Sequence, residues 1–568
     1  MTITDNTPAG GGILPKALPF VGIGLVYLLG AQLDVMEIDA AQYASISKEM
    51  METGNYLQIT NRHKDYLDKP PLLFWMAALF FKVFGVSNFV YRLPAMLFSA
   101  LGIYSTYRLA KRYYGESVGY WAAVIIASTQ AFFLMNHDVR TDTMLTASVV
   151  FAIWQLVDFQ ETRRFLPLVL GSVGVALAML AKGPIGLIVP GAAFVVDWAL
   201  KRQWRSFFQW QWLVAILIIA LMLLPMSLGL YWQFDAQPEK GVSGLRFYYW
   251  TQSFGRITGE SEWNNNPGLF FQAQNFLWSF LPWTLLFPPA LWAALRQIWL
   301  QGFRLRQEQE GLTLGGFVLP FIALSLSKYQ LPHYTYVVFP LGAILTARWL
   351  VPLLNSGRSP VWVKGLQVFT WTVLWLLASA LCVWAFPFPA WWLWPVALGG
   401  LGYTLHQTLR GQTAIARVLV PSLVSIIAIN TLLNGHVYPR LFQYQISSVL
   451  AKYVRYQTDI SADRLFVFRR VFGDDRDIEL HSLDFYSTQV IPDLPDTVAI
   501  RAQLKQGNCW LYADIEAKKE VEAMPNVSVE VLKQYDKFHI STLTLPFLNP
   551  AMREGEIDKV FLLLLKQN

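Results

Sequence analysis

The chain has 568 residues, of which 54% are hydrophobic and only 15% charged, with a mean hydropathy of +0.36 and 23 Trp; these values exclude an ordinary soluble enzyme and describe an integral membrane protein. A net charge of +7 would suggest nucleic acid in a soluble protein, but most basic clusters here fall in short loops between apolar runs, where they set orientation in a bilayer. Two cysteines, Cys382 in an apolar run and Cys509 in a polar region, make neither a disulfide framework nor a zinc site, and seven scattered His without an HExxH or paired cysteines carry no metal signature. Participation of a divalent metal is left open.

The first apolar run, about 17–33, follows a polar start containing Lys16 and has no small-residue cleavage pattern, so it reads as a retained helix. After it comes Met36–Pro71, which gathers Glu37, Asp39, Lys48, Glu49, Glu52, Arg62, His63, Lys64, Asp65, Asp68 and Lys69. A long loop with acid, base and aromatic groups is a natural place for chemistry at the water boundary of a membrane protein. Within it, Tyr43, Ile46, Met50 and Met51 follow helical spacing and Gly54 can close a helix running from about Ala40 to Thr53. Asp39 then has two readings, an N-cap completed by Gln42 in a capping box, or the acid or base of an active site.

Further runs able to cross a ~30 Å core lie near 91–110, 118–135, 142–158, 165–181, 184–200, 208–233, 272–298, 313–327, 334–350, 365–386, 390–408 and 416–434, about thirteen with the first. If the run 70–85 does not cross, the basic loops at 108–112, 163–164, 201–205, 304–306, 358–364 and 410–417 all share one side, as the positive-inside rule requires. Pro70–Phe84 is therefore expected to be a juxtamembrane or re-entrant helix, with the amino terminus cytoplasmic and everything after about 435 outside. No internal repeat is evident, which excludes a solenoid.

The remaining outer segments carry their own polar groups. NHDVRTDTML holds Asp138, Arg140 and Asp142, and an acid entering a helix has the plain reading of a partner for the helix dipole. Lys182 in AKGPIG is either an interfacial lysine or a phosphate contact. LSLSKYQLPHYTY interrupts an apolar region with Lys328, Tyr329, His333 and Tyr334; a lysine near lipid is costly without a partner, so an anionic ligand is inferred, against a snorkelling loop. The roughly forty-residue segment 234–271 contains Arg256 and is long enough to cover a cavity.

Taken together, Asp39, Tyr43, Ala44, Glu49-Met50, Gly54 and Lys69-Pro70-Pro71-Leu72 resemble the first external loop of the lipid-linked-sugar glycosyltransferases related to protein O-mannosyltransferases, the GT-C type, and within them the bacterial 4-amino-4-deoxy-L-arabinose transferases that modify lipid A. The SLSK-x-x-LP pattern around Lys328, the Arg-x-x-Gly element at Arg256 and the aspartate at Asp142 resemble further elements of that family. In much of it a glutamate follows the aspartate, where this chain has Ala40. The resemblance implies a polytopic α-helical GT-C enzyme of the bacterial inner membrane with its site facing the periplasm. The implied reaction moves 4-amino-4-deoxy-L-arabinose from undecaprenyl phosphate to lipid A phosphates, the chemistry of polymyxin resistance.

Such a transfer builds positive charge on the sugar and negative charge on the departing phosphate. Lys69, Lys328 and Arg256 suit the phosphates, Asp39 and Asp142 suit the sugar or the acceptor, and Tyr66, Tyr329 and His333 are candidate donors to either. A phosphate acceptor arrives as an anion and needs little general-base help, which fits Ala40; transfer to protein Ser/Thr would need a stronger base, and a lipid flippase or transporter would need no chemistry. The expected division is a transmembrane domain over 1–434, with a large first external loop at about 35–85, and a soluble periplasmic α/β domain over 435–568. In the latter, RLFVFRRV, DTVAI, NCWLYAD, VSVEVL and HISTLTL read as strands, and 441–456, 498–505 and 515–523 as helices.

Overall fold

The computed structural model describes residues 16–253, 255, 265, 267–356, 360–387, 391–468 and 476–567. Six of its helices are long and apolar enough to cross a membrane: Thr141–Thr162, Phe165–Lys182, Gln211–Asp235, Pro332–Asn355, Val361–Ala385 and Ala414–Tyr444. The number becomes eight if each of two bent pairs is one span. The bends correct two expected straight runs. The run 118–135 is Glu116–Ala127 and Gln130–His137, turned by 54°, and 272–298 is Phe271–Ser279 and Thr284–Leu300, turned by 118°.

Thr141–Thr162 is the innermost of these helices. Its neighbours approach through small residues, which is how helices associate where lipid is as apolar as leucine. A Cβ built on Gly174 would lie 3.0 Å from Ala152, one on Gly171 2.6 Å from Leu156, and one on Gly102 of Asn88–Tyr114 3.1 Å from Ala147. The central helix therefore has its ends fixed on two surfaces. At one end Arg112 pairs with Glu161 and with Asp158, Arg163 donates to Gln209, Gln203 donates to Gln307, and Arg348 donates to Glu310 at 2.8 Å, so the basic loops gather there. At the other end lie Asp138, Arg140 and Asp142.

The segment 35–85 packs onto that second end. Asp39–Thr53 forms the expected helix and Gly54, at φ 69°, closes it with its N–H on Met50 O. Beyond it β1 (Thr60–Asn61) and β2 (Lys64–Asp65) make a hairpin whose turn, Arg62-His63, has both residues at positive φ. Neither is glycine; the buried Glu49 carboxylate accepts from the amides of Arg62 and His63 at 2.8 and 3.0 Å, which offsets the strain of that backbone. Leu72–Phe84 follows, thirteen residues or about 20 Å, short of a bilayer core.

The carboxy-terminal region carries a five-stranded sheet in the order β4-β3-β5-β7-β6, from β3 (Leu465–Phe468), β4 (Asp493–Leu494), β5 (Cys509–Asp514), β6 (Val527–Lys537) and β7 (Asp558–Gln567). The first three are parallel, and β5, β7 and β6 are antiparallel. Two strand expectations are corrected. DTVAI enters the helix Thr497–Leu504, because Asp496 accepts from Ala499 N at 2.8 Å and caps it, and HISTLTL, which ends in Leu545, runs into the short helix Leu545–Leu548 that Thr544 caps. Two helices of this region, Ile446–Gln457 and Arg476–Tyr486, face the membrane part: Tyr486 Oη accepts from Val35 N, and Gln445 Oε1 accepts from Glu37 N.

Candidate active site

Asp39 is the first residue of its helix, and the position before it belongs to Ile38, which supplies no side-chain cap. The capping-box reading is therefore overturned. The Asp39 carboxylate instead reaches about a hundred residues along the chain and accepts from Arg140 Nη1. Arg140 donates in turn from Nε to Asp138 Oδ2 at 2.8 Å. Both loops are held in place by Arg92, a wholly buried guanidinium that donates to the carbonyls of Leu33, Asp34 and His137.

Asp142, 2% exposed in the first turn of Thr141–Thr162, is more than a partner for the helix dipole. Its Oδ1 accepts from Lys182 Nζ at 2.5 Å, and His333 Nε2 stands 3.7 Å from its Oδ2. Lys182 ends the helix Phe165–Lys182 and lies 4.2 Å from the centre of the Tyr334 ring. Tyr329 is 6.4 Å from Tyr334, centre to centre, while Lys328 is exposed and makes no ion pair among the described residues. Arg256 lies outside the described residues.

Lys69 pairs with its neighbour Asp68, whose backbone carbonyl accepts from Gln252. Tyr66 is buried behind it, against Phe74, with a hydroxyl that has no hydrogen-bond partner. Burial, with the charges of Asp68 and Asp39 nearby, holds that hydroxyl well above the ordinary tyrosine range, so it stays protonated and able to donate. Tyr43, on the other side of Phe74, is raised in the same way by burial and by Asp39, Tyr66 and Asp68, with the Arg140 guanidinium acting against them.

A crevice opens from Lys69 toward the bundle exterior, walled by Leu57, Ile59, Tyr66, Met226, Leu230 and Tyr248. Met226 and Leu230 belong to Gln211–Leu230, whose neighbouring Leu224, Leu228 and Tyr231 are exposed on the bundle surface. The loop sits close to this helix because of Gly229: a Cβ there would fall 2.1 Å from Leu57 O. Gln233 completes the seam, accepting from Ile59 N and donating to Ile59 O and Asp65 Oδ1. Among the described residues no three His, Cys, Asp or Glu side chains form a group able to hold a metal ion.

The structure thus brings Asp39, Tyr66 and Lys69 together and places Asp142 with His333, each acid meeting a base from a distant segment. Residues 68–232 match the dolichyl-phosphate-mannose-protein mannosyltransferase family. The chain is also 28% identical over 353 residues to an undecaprenyl phosphate-alpha-4-amino-4-deoxy-L-arabinose arabinosyl transferase of Pseudomonas fluorescens, covering 60% of this chain and 61% of that one. It is 26% identical over 429 residues to another, of Proteus mirabilis, covering 72% and 74%. The chain therefore spans about three fifths of the length of the first of these relatives. A crystal structure of ArnT from Cupriavidus metallidurans bound to undecaprenyl phosphate superposes with a TM-score of 0.69 at 17% identity, over 96% of this chain and 97% of that one, so the two share a fold.

Arg140, Asp138 and Lys182 carry the pairing that defines the site; the sequence flagged Arg140 and Asp138 only as members of a short polar segment, and weighed Lys182 as an interfacial lysine or a phosphate contact without its partner Asp142. Their signal was charge at an external helix start or end; their partners lie too far along the chain to be read from spacing.

Proposed function

We propose that the chain is an inner-membrane glycosyltransferase that moves 4-amino-4-deoxy-L-arabinose from undecaprenyl phosphate to a phosphate of lipid A. The observation that carries this reading is Lys69, standing where an apolar crevice from the bundle surface meets a floor of carboxylates. We place the carrier phosphate at Lys69, the polyprenyl tail leaving along the apolar side chains at the crevice mouth, Leu57, Met226 and Leu230, and the sugar over Asp39. The names of the Pseudomonas, Proteus and Cupriavidus proteins support the same donor.

In this reaction an acceptor phosphate oxygen forms a bond to sugar C1 while the bond from C1 to the carrier phosphate oxygen breaks, and its electron pair leaves with undecaprenyl phosphate. Lys69 neutralises the departing phosphate, with Tyr66 donating beside it. Asp39 faces the positive charge that builds on the sugar. Asp142, held by Lys182 and near His333, lines the neighbouring side, and Lys328 with Tyr329 stands at the rim where the acceptor phosphate enters. No strong base is needed, because the acceptor is already an anion near neutral pH. In the membrane we place about thirteen spans, with Leu72–Phe84 lying at the interface, the basic loops in the cytoplasm and the site and sheet domain in the periplasm.

The test uses purified protein in proteoliposomes with the undecaprenyl-linked aminosugar and lipid A, read by mass spectrometry. One pentosamine should be added per phosphate used, and none once the acceptor is dephosphorylated. Glycosylation of a Ser/Thr peptide with lipid A untouched would overturn the acceptor assignment.

A further inference from the structure

The resemblance leads one to expect two carboxylates in succession, and this chain has Asp39 followed by Ala40. A second carboxylate arrives from another part of the chain. Asp138, 3% exposed, shares the Arg140 guanidinium with Asp39: Nε donates to Asp138 and Nη1 to Asp39. Each acid thus receives one donor from Arg140, and the fork that could chelate a single carboxylate is divided between two.

The surroundings make this division durable. Asp138 N donates to Leu134 O at 2.7 Å, and Arg92 Nε holds the preceding carbonyl, His137 O, at 2.8 Å. The other carboxylate oxygen of Asp138, Oδ1, is buried with no hydrogen-bond partner among the described residues. A carboxylate enclosed to this degree is costly to keep ionised, and Arg140 is the cation set against it. Facing Asp39 are Arg140 and Asp138 from the second external loop, Tyr43 from its own helix, and Tyr66 and Asp68 from the rest of the first loop.

We propose that Asp138 is a positioning residue for the transfer reaction: by holding one side of the Arg140 guanidinium it prevents Arg140 from closing on both oxygens of Asp39, which keeps Asp39 able to meet the substrate. This rests on the reading of Asp39 given above. Asp138 supplies, through Arg140, a second negative charge beside Asp39 in a chain that has Ala40 next to it.

Asp138→Asn keeps the shape and removes the charge. Arg140 is then released to chelate Asp39, and kcat is expected to fall about 10- to 100-fold with little change in donor KM. Adding Arg140→Lys, a point charge without a fork, should restore a substantial part of the activity. A merely structural Asp138 would lower thermal stability, leave the kcat of the surviving enzyme near that of the wild type and gain nothing from Arg140→Lys; that pattern overturns the proposal.

A second measurement needs no donor. Asp39→Cys is built in full-length protein carrying Cys382→Ser and Cys509→Ser, and its thiol is labelled with anionic and cationic methanethiosulfonate reagents. Asp138→Asn should shift the preference toward the anionic reagent about tenfold, because Arg140 is no longer shared. An unchanged preference would overturn the positioning role whatever the enzyme transfers, whereas wild-type inactivity with the lipid-linked aminosugar would strike only the function proposed above.

Discussion

The helix Asp39–Thr53 meets two polar regions, and they differ in how completely their charges are satisfied. On the side of the sheet domain, Lys48 Nζ donates to the carbonyls of Asp484, Phe485 and Ser487 at the end of Arg476–Tyr486, and Glu49 accepts from Thr60 Oγ1 and from the two turn amides. Arg62 pairs with Asp484 and donates to Ile491 O, while Ile491 N donates back to Asp484 Oδ1 at 2.8 Å. On the side of the site, Asp138 keeps an oxygen and Tyr66 a hydroxyl without a hydrogen-bond partner, and Asp39 is about a third exposed. A closed network fixes one position of the loop; an open one has capacity left for a ligand. The loop is clamped from behind so that its front can remain incompletely paired.

The largest effect should come from the open side. Asp39→Asn removes the charge while the helix loses only a first-turn partner for its dipole, about 0.3–1 kcal/mol, since Asp39 makes no cap and Gly54 closes the other end. Protein level and melting temperature should hold while turnover drops at least about 100-fold. Near-normal turnover would leave Asp39 with the Arg140 contact alone. Lys69→Ala comes next, at about 2–4 kcal/mol of transition-state stabilisation, or roughly 30- to 1000-fold in rate. Wild-type turnover in that variant would remove Lys69 from the phosphate. Lys69→Arg need not rescue it, because a planar fork is not a point charge.

How much of this was legible depended on the range of the interaction. The helix 39–53 and its glycine stop are local, and both could be read from a few neighbouring residues. The Asp39 cap failed for the opposite reason: the local pattern favoured it, and an ion pair with Arg140 overrode it. In the sheet domain, Val498 and Ile500 suggested a strand where the Asp496 cap decided for a helix. The run DKVFLLLLKQ went unassigned although it became a strand paired on both sides, between β5 and β6; its four consecutive leucines show no alternation, as expected of a strand enclosed on both faces. Apolar length located the six helices long enough to cross a membrane and the two bent pairs, but not the breaks near Ser128 and Pro282.

Gly229→Ala probes the contact between the loop and the helix that walls the crevice. The added methyl would meet Leu57 O, a backbone atom that cannot rotate away, so the 55–59 segment has to move. The cost should be about 1–3 kcal/mol in stability, with donor KM rising more than kcat falls, because Leu57 and Ile59 wall the crevice and Lys69 stands at its head. Unchanged donor KM would separate the crevice from the carrier lipid.

The closed side gives the smallest effect on chemistry and the sharpest one on pH. Burial raises the Asp484 carboxyl from 3.8 to about 6, even with the Arg62 guanidinium pulling it down. A carboxyl that holds its proton more tightly folded than unfolded contributes stability that is complete below about 4 and declines as pH rises through about 6, since the folded state binds more protons across that window. Protection of the amides in Arg476–Tyr486, corrected for intrinsic exchange, should therefore decrease modestly between pH 4 and pH 7 in the wild type. Arg62→Ala leaves Asp484 buried without that cation, and breaking a buried pair costs about 3–5 kcal/mol. The loss should be larger at pH 7.5, where Asp484 must ionise or remain protonated at a cost, than at pH 5, where it is neutral. An equal loss at the two pH values would mean that Asp484 does not titrate in the clamp, and that the ion pair there is only one contact among many.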